Sequence, residues 1–381
     1  AYGYTPFTMD IRKFLKVGDN EIQVIVHTDD DPNGRWYSGA GLYRGVNLLS
    51  APAFHIAHDG IFVYTDHITN GDAFCKAEIT VVNDLAKASG DAEGFLKLTV
   101  SKKDTKEVVA TRYQKIRLTA GKRQVVPQAF VIENADLWDT EHPNLYLVTA
   151  QLNLTSTGGI HMSLDNRQDL MAQADYEDEI TTRFGVRTIT ADAKNGLLLN
   201  GKSIKLKGGC IHHDNGILGA ASFYDAEYRK VKLHKDNGYN ALRLAHNPQS
   251  EQILDICDEL GMFVEVESPV CWVGHHANEN WKTLNYQDSQ YYPYILQANM
   301  ETIHFYRNHP SVLFWSMANE SYWNKEFAQI QEYVYKADST RPHTFHDQAY
   351  GGFNNQGSTA PIANIHYPGP DGYKVAAKSN R

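Results

Sequence analysis

Past residue 200 the sequence alternates between two rhythms, and this alternation constrains the fold more than any other feature. Short apolar runs read as six strands: "SIKLKGG" (203–209), "NALRLA" (240–245), "MFVEVE" (262–267), "SVLFWSM" (311–317), "HTFHD" (343–347) and "IANIHYP" (362–368). Helical spacing fills the gaps. Ser222 with Asp225 three residues on makes a capping-box start for a helix through about Lys235. Residues 250–260 carry Ile253, Ile256, Cys257 and Leu260 on one face and stop at Gly261. Leu296, Met300 and Ile303 mark a third helix that ends before Pro310; Phe327, Ile330, Val334 and Ala337 mark a fourth. Strands that alternate with helices pair in parallel, and six units in a row favour a barrel over an open sheet.

Up to about residue 190 the period is two. "NEIQVIVH" (20–27), "AEITVVN" (77–83), "FLKLTVSK" (95–102) and "YLVTAQLNL" (146–154) alternate as antiparallel sandwich strands do. "SAPAF" (50–54) reads as a joint, because its proline cannot sit in a central ladder. The expected division is therefore residues 1–50, the end of one β domain; 51–190, a second β-sandwich; and 191–381, the barrel. A chain of 381 residues is long enough for two or three domains.

Composition excludes several functions. The net charge is −9 and no Lys/Arg-rich tract occurs, which argues against nucleic acid as a partner. No run of 18 apolar residues occurs, so no membrane span is expected. The four cysteines are scattered without CxxC spacing, so neither a zinc ribbon nor a redox pair is supported. The chain opens "AYGYTPF", with neither an initiator Met nor a signal peptide. The expectation is a soluble cytoplasmic or periplasmic protein whose targeting segment, if any, lies upstream.

In a parallel barrel the chemistry gathers where the strands end. Those ends here are Cys210 to His213, His246-Asn247, Glu267, Asn319-Glu320, His346-Asp347 and His366-Tyr367, and each supplies a polar, titratable or hydrogen-bonding group. Glu320 reads either as a first-turn carboxylate favouring a helix N-terminus or as a general acid. The second reading is preferred: a carboxyl at the lip of an apolar strand is partly desolvated, which keeps its proton available. Asn319 beside it is placed to bond a sugar hydroxyl. His212 and His246 are expected to touch ligand rather than serve only as structural histidines. Glu267 is either a polar anchor of the site or the partner of an arginine such as Arg243. Tyr367 is either packing or a hydrogen-bond donor to a carboxylate. Trp272, in "SPVCWVGHH" (268–276), is a further candidate for substrate contact. His275, His276 and Glu279 form an HHxxE cluster, read as a solvated loop in preference to a metal site. "GRWYSGAGLYRG" (34–45) reads as a structural turn.

"NHPSVLFWSMANES" (308–321) resembles the acid/base signature of family 2 glycoside hydrolases, the group of β-galactosidases, β-glucuronidases and β-mannosidases. "LNGKSIKLKGGCIHHDNG" (199–216) is similar to that family's opening barrel segment, and "YNALRLAHNPQSEQILDICDELGMFVEVE" (239–267) to its second and third barrel units. "RFGVRTI" (183–189) resembles the usual approach to the barrel; "PFTMDIRKFLKVGDNEIQVIVHTDD" and "RWYSGAGLYRGV" resemble the end of the N-terminal jelly roll. The resemblance implies the end of a jelly-roll β-sandwich, an immunoglobulin-like β-sandwich and an incomplete (β/α)8 TIM barrel. It implies a retaining hydrolase of terminal β-linked sugars, with Glu320 as acid/base and Asn319 on the 2-hydroxyl. His212 and His246 would line the sugar pocket, Tyr367 would touch the nucleophile, and Glu267 would be the acid that ends the third strand.

The sequence departs from the family pattern in places. The third strand ends "VEVE", not "VVDE", and the magnesium-binding Glu and His of β-galactosidases are not recognisable in "SPVCWVGHH". No cofactor is therefore expected; a divalent metal has no clear motif. "GGCIHHDNG" stands where Asn-Arg-His is frequent, which leaves the sugar open. The family's nucleophile ends the seventh strand, and the chain stops at Arg381 after the sixth. The expectation is a sequence cut at both ends, its nucleophile beyond Arg381, and a piece inactive alone. A β-galactosidase acting on an oligosaccharide or β-glycoside leads, and a homo-oligomer is allowed. The alternatives are a β-glucuronidase or β-mannosidase, a non-catalytic carbohydrate-binding protein, or an inverting enzyme with Glu267 and Glu320 about 6.5–9.5 Å apart.

Overall fold

The computed structural model describes residues 3–26, 41–157, 175–273, 289–347 and 358–367, with residues 369, 371, 374 and 378. Two layers of antiparallel sheet come first. The strands are β1 (Phe54–Thr69), β2 (Asp72–Asn83), β3 (Asp91–Lys102), β4 (Val108–Thr119), β5 (Lys122–Ile132), β6 (Tyr146–Leu152), β7 (Ser156–Thr157) and β8 (Asp178–Phe184). One sheet runs β1-β2-β5; the other runs β4-β3-β6-β8, with β7 on β3. Alternation along each strand puts one set of side chains between the layers. Ala77, Ile79 and Val81 of β2 meet Leu96, Leu98 and Val100 of β3 and Tyr146, Val148, Ala150 and Leu152 of β6 in a single buried cluster. Each of the larger of these side chains contributes about 1.5–3 kcal/mol by leaving water.

A small antiparallel sheet links this sandwich to the second body: β9 (Ile189–Asp192), β10 (Gly196–Leu199) and β11 (Lys202–Ser203). Then come β12 (Gly208–Ile211), β13 (Ala241–Leu244), β14 (Phe263–Glu267), β15 (Val312–Ser316) and β16 (His343–Thr344), all parallel and in sequence order. Helices α1 (Tyr224–Asp236), α2 (Glu251–Leu260), α3 (Tyr292–Tyr306) and α4 (Lys325–Ala337) connect them, the βα order that the alternating rhythm predicts. No helix among the described residues is long and apolar enough to cross a membrane.

Four expectations need correction. Among the described residues, 20–26 form no strand, and Ile22 and Ile25 stay about two-thirds exposed. Alternation alone makes a strand only where a neighbour takes up the backbone hydrogen bonds, and among the described residues none does so there. The first barrel strand is Gly208–Ile211 instead of 203–209: Lys202–Ser203 turns back on β10, and Ile211, not Ile204, lines up with Leu244 of β13. The capping box does not form. Phe223 is the N-cap of α1, and the buried Ser222 Oγ has no hydrogen-bond partner, because the helix begins one residue late for the box. Strands five and six are shorter than read: β16 has two residues, and "IANIHYP" forms isolated bridges instead of a strand, one of them from Ile362 to Thr344. Residues 34–40 of the aromatic loop lie outside the described residues.

The two bodies share a sealed seam. Trp138 of the sandwich is fully buried, packs edge-on against Phe263 with centroids 5.8 Å apart, and donates its indole N–H to the Asp258 carbonyl at 2.9 Å. The α2 helix closes against this seam. Gly261 adopts φ +68°, and a Cβ there would meet the Thr140 carbonyl oxygen at 2.5 Å. Gly261→Ala therefore suffers both left-handed strain and a backbone clash. It is expected to destabilise the protein by about 2 kcal/mol or more, read as a drop of several degrees in Tm. An unchanged Tm would show that the seam yields.

Candidate active site

Parallel register brings the polar strand ends together. Cys210, Arg243 and Glu265 stand side by side on β12, β13 and β14, and Glu267 stands beside Ser316 of β15. Glu265 and Glu267 lie two residues apart on one strand, so both side chains project from the same face. That "VEVE" spacing is the signal by which Glu265, not singled out from the sequence, was findable.

Glu267 is completely buried. Its Oε2 accepts from Arg243 Nη2 at 2.6 Å and from Ser316 Oγ at 2.6 Å; its Oε1 accepts from His246 Nδ1 at 2.8 Å. Burial opposes the charge, but the Arg243 guanidinium, with His246 and His346 beside it, outweighs burial and holds the carboxyl well below its ordinary range. Glu267 is thus the ion-pair partner of Arg243, the second of its two sequence readings. Arg243 Nη2 also donates to Asn319 Oδ1 at 2.9 Å, which turns the Asn319 amide N–H toward Cys271 Sγ at 3.3 Å. His346 contacts Glu265 through Nε2, while the Asn364 amide donates to its Nδ1 at 3.1 Å. His212 packs edge-on against His246, with ring centroids 5.3 Å apart.

β15 then delivers the acid. Val312, Leu313 and Trp315 are buried, the chain continues through buried Met317 and Ala318, and Asn319 and Glu320 follow at 2 % and 3 % exposure. Glu320 adopts φ +42°. Its Oε2 accepts from the indole Nε1 of Trp272 at 2.6 Å, and His366 Nε2 lies 3.5 Å from Oε1. Tyr367 is placed differently from the others: it is 67 % exposed and stacks on His366 at 4.5 Å. His366 itself is a contact that the sequence reading passed over in favour of its neighbour. Of the predicted residues, Glu320, Asn319, His246, His212, Glu267 and Trp272 come together in one network, and Tyr367 lies at its rim. His275, His276 and Glu279 lie outside the described residues.

Glu265, Glu267 and His346 bring ligand atoms within 4.8 Å of one another, as a cation would require. The Arg243 guanidinium already sits 2.6 Å from Glu267 and 3.8 Å from Glu265, however, so this trio does not fit a dication. The stretch that would supply magnesium ligands after the third strand presents the indole N–H of Trp272 to Glu320.

Residues 191–367 match the family model described as "Glycosyl hydrolases family 2, TIM barrel domain", and residues 54–166 match "Glycosyl hydrolases family 2". The chain belongs to glycosyl hydrolase family 2. It is 32% identical over 336 residues to the β-galactosidase BoGH2A of Bacteroides ovatus, covering 84% of this chain and 34% of that protein. It is 26% identical over 330 residues to a β-glucuronidase of Bacteroides fragilis, covering 84% of this chain and 44% of that one. A family 2 member from Bacteroides cellulosilyticus superposes with a TM-score of 0.71 at 31% identity, over 91% of this chain and 44% of that chain. The chain thus spans less than half the length of these relatives.

Proposed function

We propose that the full-length protein hydrolyses terminal β-linked sugars with retention, β-galactosides first, and that Glu320 is its general acid/base. The observation that carries this reading is a buried carboxyl at the end of the fourth parallel strand, beside Asn319, in reach of an indole N–H and an imidazole. Glu320 would donate its proton to the glycosidic oxygen as that bond to the anomeric carbon breaks. It would later take a proton from the water that releases the sugar. Asn319, oriented by Arg243, would present its amide N–H to the 2-hydroxyl. His212 and His246 would line the sugar's other face, and Tyr367 the entrance. We assign Glu267 a positioning role, because its carboxylate is enclosed by Arg243, Ser316 and His246. That assignment removes it as the base of an inverting pair. We also read residues 1–50 as the end of a jelly roll and 51–190 as an immunoglobulin-like sandwich.

Relatives carry both β-galactosidase and β-glucuronidase names. A glucuronide needs a cation for its carboxylate. Arg243 is held by Glu267 and Asn319, so it is not the residue that would take one. Rates on aryl β-galactoside, β-glucuronide and β-mannoside test the order; binding of sugar without turnover of any of them would favour a carbohydrate-binding protein instead. We further propose that the site works without a bound metal, because the Arg243 guanidinium already sits against both Glu265 and Glu267. EDTA dialysis is expected to leave the hydrolysis rate unchanged; a loss restored by magnesium would refute this.

A further inference from the structure

Trp272 and Glu320 are both held in the left-handed region, at φ +61° and +42°. A bulky residue there is an outlier that persists only when its surroundings over-determine it. The surroundings here are two loops laced together. Cys271 and Asn319 form a parallel bridge, Asn319 N donates to the Val270 carbonyl at 2.9 Å, Trp272 N donates to the Asn319 carbonyl at 3.1 Å, and Tyr322 N donates to the Val273 carbonyl at 2.9 Å. Val273 N also donates to Ser321 Oγ at 3.0 Å. This lacing brings the indole Nε1 to 2.6 Å from Glu320 Oε2.

We propose that Trp272 is a positioning residue for the acid/base, holding Glu320 Oε2 through its indole N–H so that Oε1 carries the catalytic proton. The inference rests on the reading of Glu320 given above. Among the described residues, His366 Nε2 also faces this carboxyl, 3.5 Å from Oε1; Asp347 bridges Ser321 on one side of it, and Arg243 and Cys271 hold Asn319 on the other. Burial favours the neutral carboxyl, whereas a donated N–H favours the charged one. Trp272 therefore sets the pH at which the acid loses its proton, as well as the direction in which that proton points.

The test uses Trp272→Phe in the full-length protein, with aryl β-galactosides. Removing the donor disfavours the carboxylate, so the alkaline limb of kcat/KM should move up by about one pH unit. With a poor leaving group kcat/KM should fall roughly tenfold, and with a dinitrophenyl leaving group far less. Trp272→His, which keeps a ring N–H, should restore both. An unmoved limb in an active Trp272→Phe variant overturns the proposal and leaves the functional reading intact. If the wild type cleaves no aryl glycoside, the functional reading fails. Tryptophan emission then still decides the contact. The wild-type minus Trp272→Phe difference should titrate with pH and stop titrating in Glu320→Gln. A difference that ignores Glu320 overturns the contact as well.

Discussion

Glu320→Gln in the full-length protein is expected to lower kcat/KM on a poor-leaving-group β-galactoside by about 10²–10⁴. The amide cannot protonate the glycosidic oxygen, yet its carbonyl can still accept from the Trp272 indole, so the fold should survive. The loss should depend on chemistry. A dinitrophenyl galactoside needs no acid to depart, so its bond cleavage should be nearly unaffected and the later water attack should become limiting. Added azide, which needs no general base, should then accelerate turnover. An equal loss on both substrates, with no response to azide, would mean that Glu320 is not the acid/base.

The second large effect is on stability. Arg243→Met removes the guanidinium 2.6 Å from the fully buried Glu267 and strips Asn319 of its donor. Leaving a buried charge without its partner costs about 3–5 kcal/mol. The pH dependence identifies the cause. In the wild type the Glu267 carboxyl is held below its unfolded value, so its contribution is present above about pH 4.3 and is lost as pH falls through the folded value. In the variant burial dominates and raises that carboxyl instead, so stability should recover as acid protonates it. Urea unfolding at pH 7 and pH 5 should show the wild-type-to-variant gap narrowing at the lower pH. A gap of equal size at both would mean that Arg243 supports something other than Glu267. Adding Glu267→Gln to the variant should restore part of the loss at pH 7.

The "VEVE" strand shows where sequence reading reached and where it stopped. Its two glutamates are visible as inward-facing neighbours from spacing alone. That Glu267 is enclosed by Arg243, Ser316 and His246, and Glu265 by His346, depends on the register of β13 and β15 and on a loop about 80 residues downstream. Trp272 is a similar case. The sequence offers it as an aromatic near a strand end and gives no hint that its N–H points at Glu320, because a left-handed backbone at a tryptophan has no local signature.

What the sequence determined by itself was periodicity: sandwich strands, then strands alternating with helices, with Asn319-Glu320 at the end of an apolar run. Those features follow from local burial and spacing, which act within a few residues. The tertiary structure alone decided which polar group meets which. It left 20–26 without a strand partner among the described residues, moved the first barrel strand to Gly208–Ile211, and set the Trp272 indole on Glu320. Each of these depends on contacts between segments far apart in the chain, where hydrogen-bond partners and low dielectric, not local propensity, select the outcome.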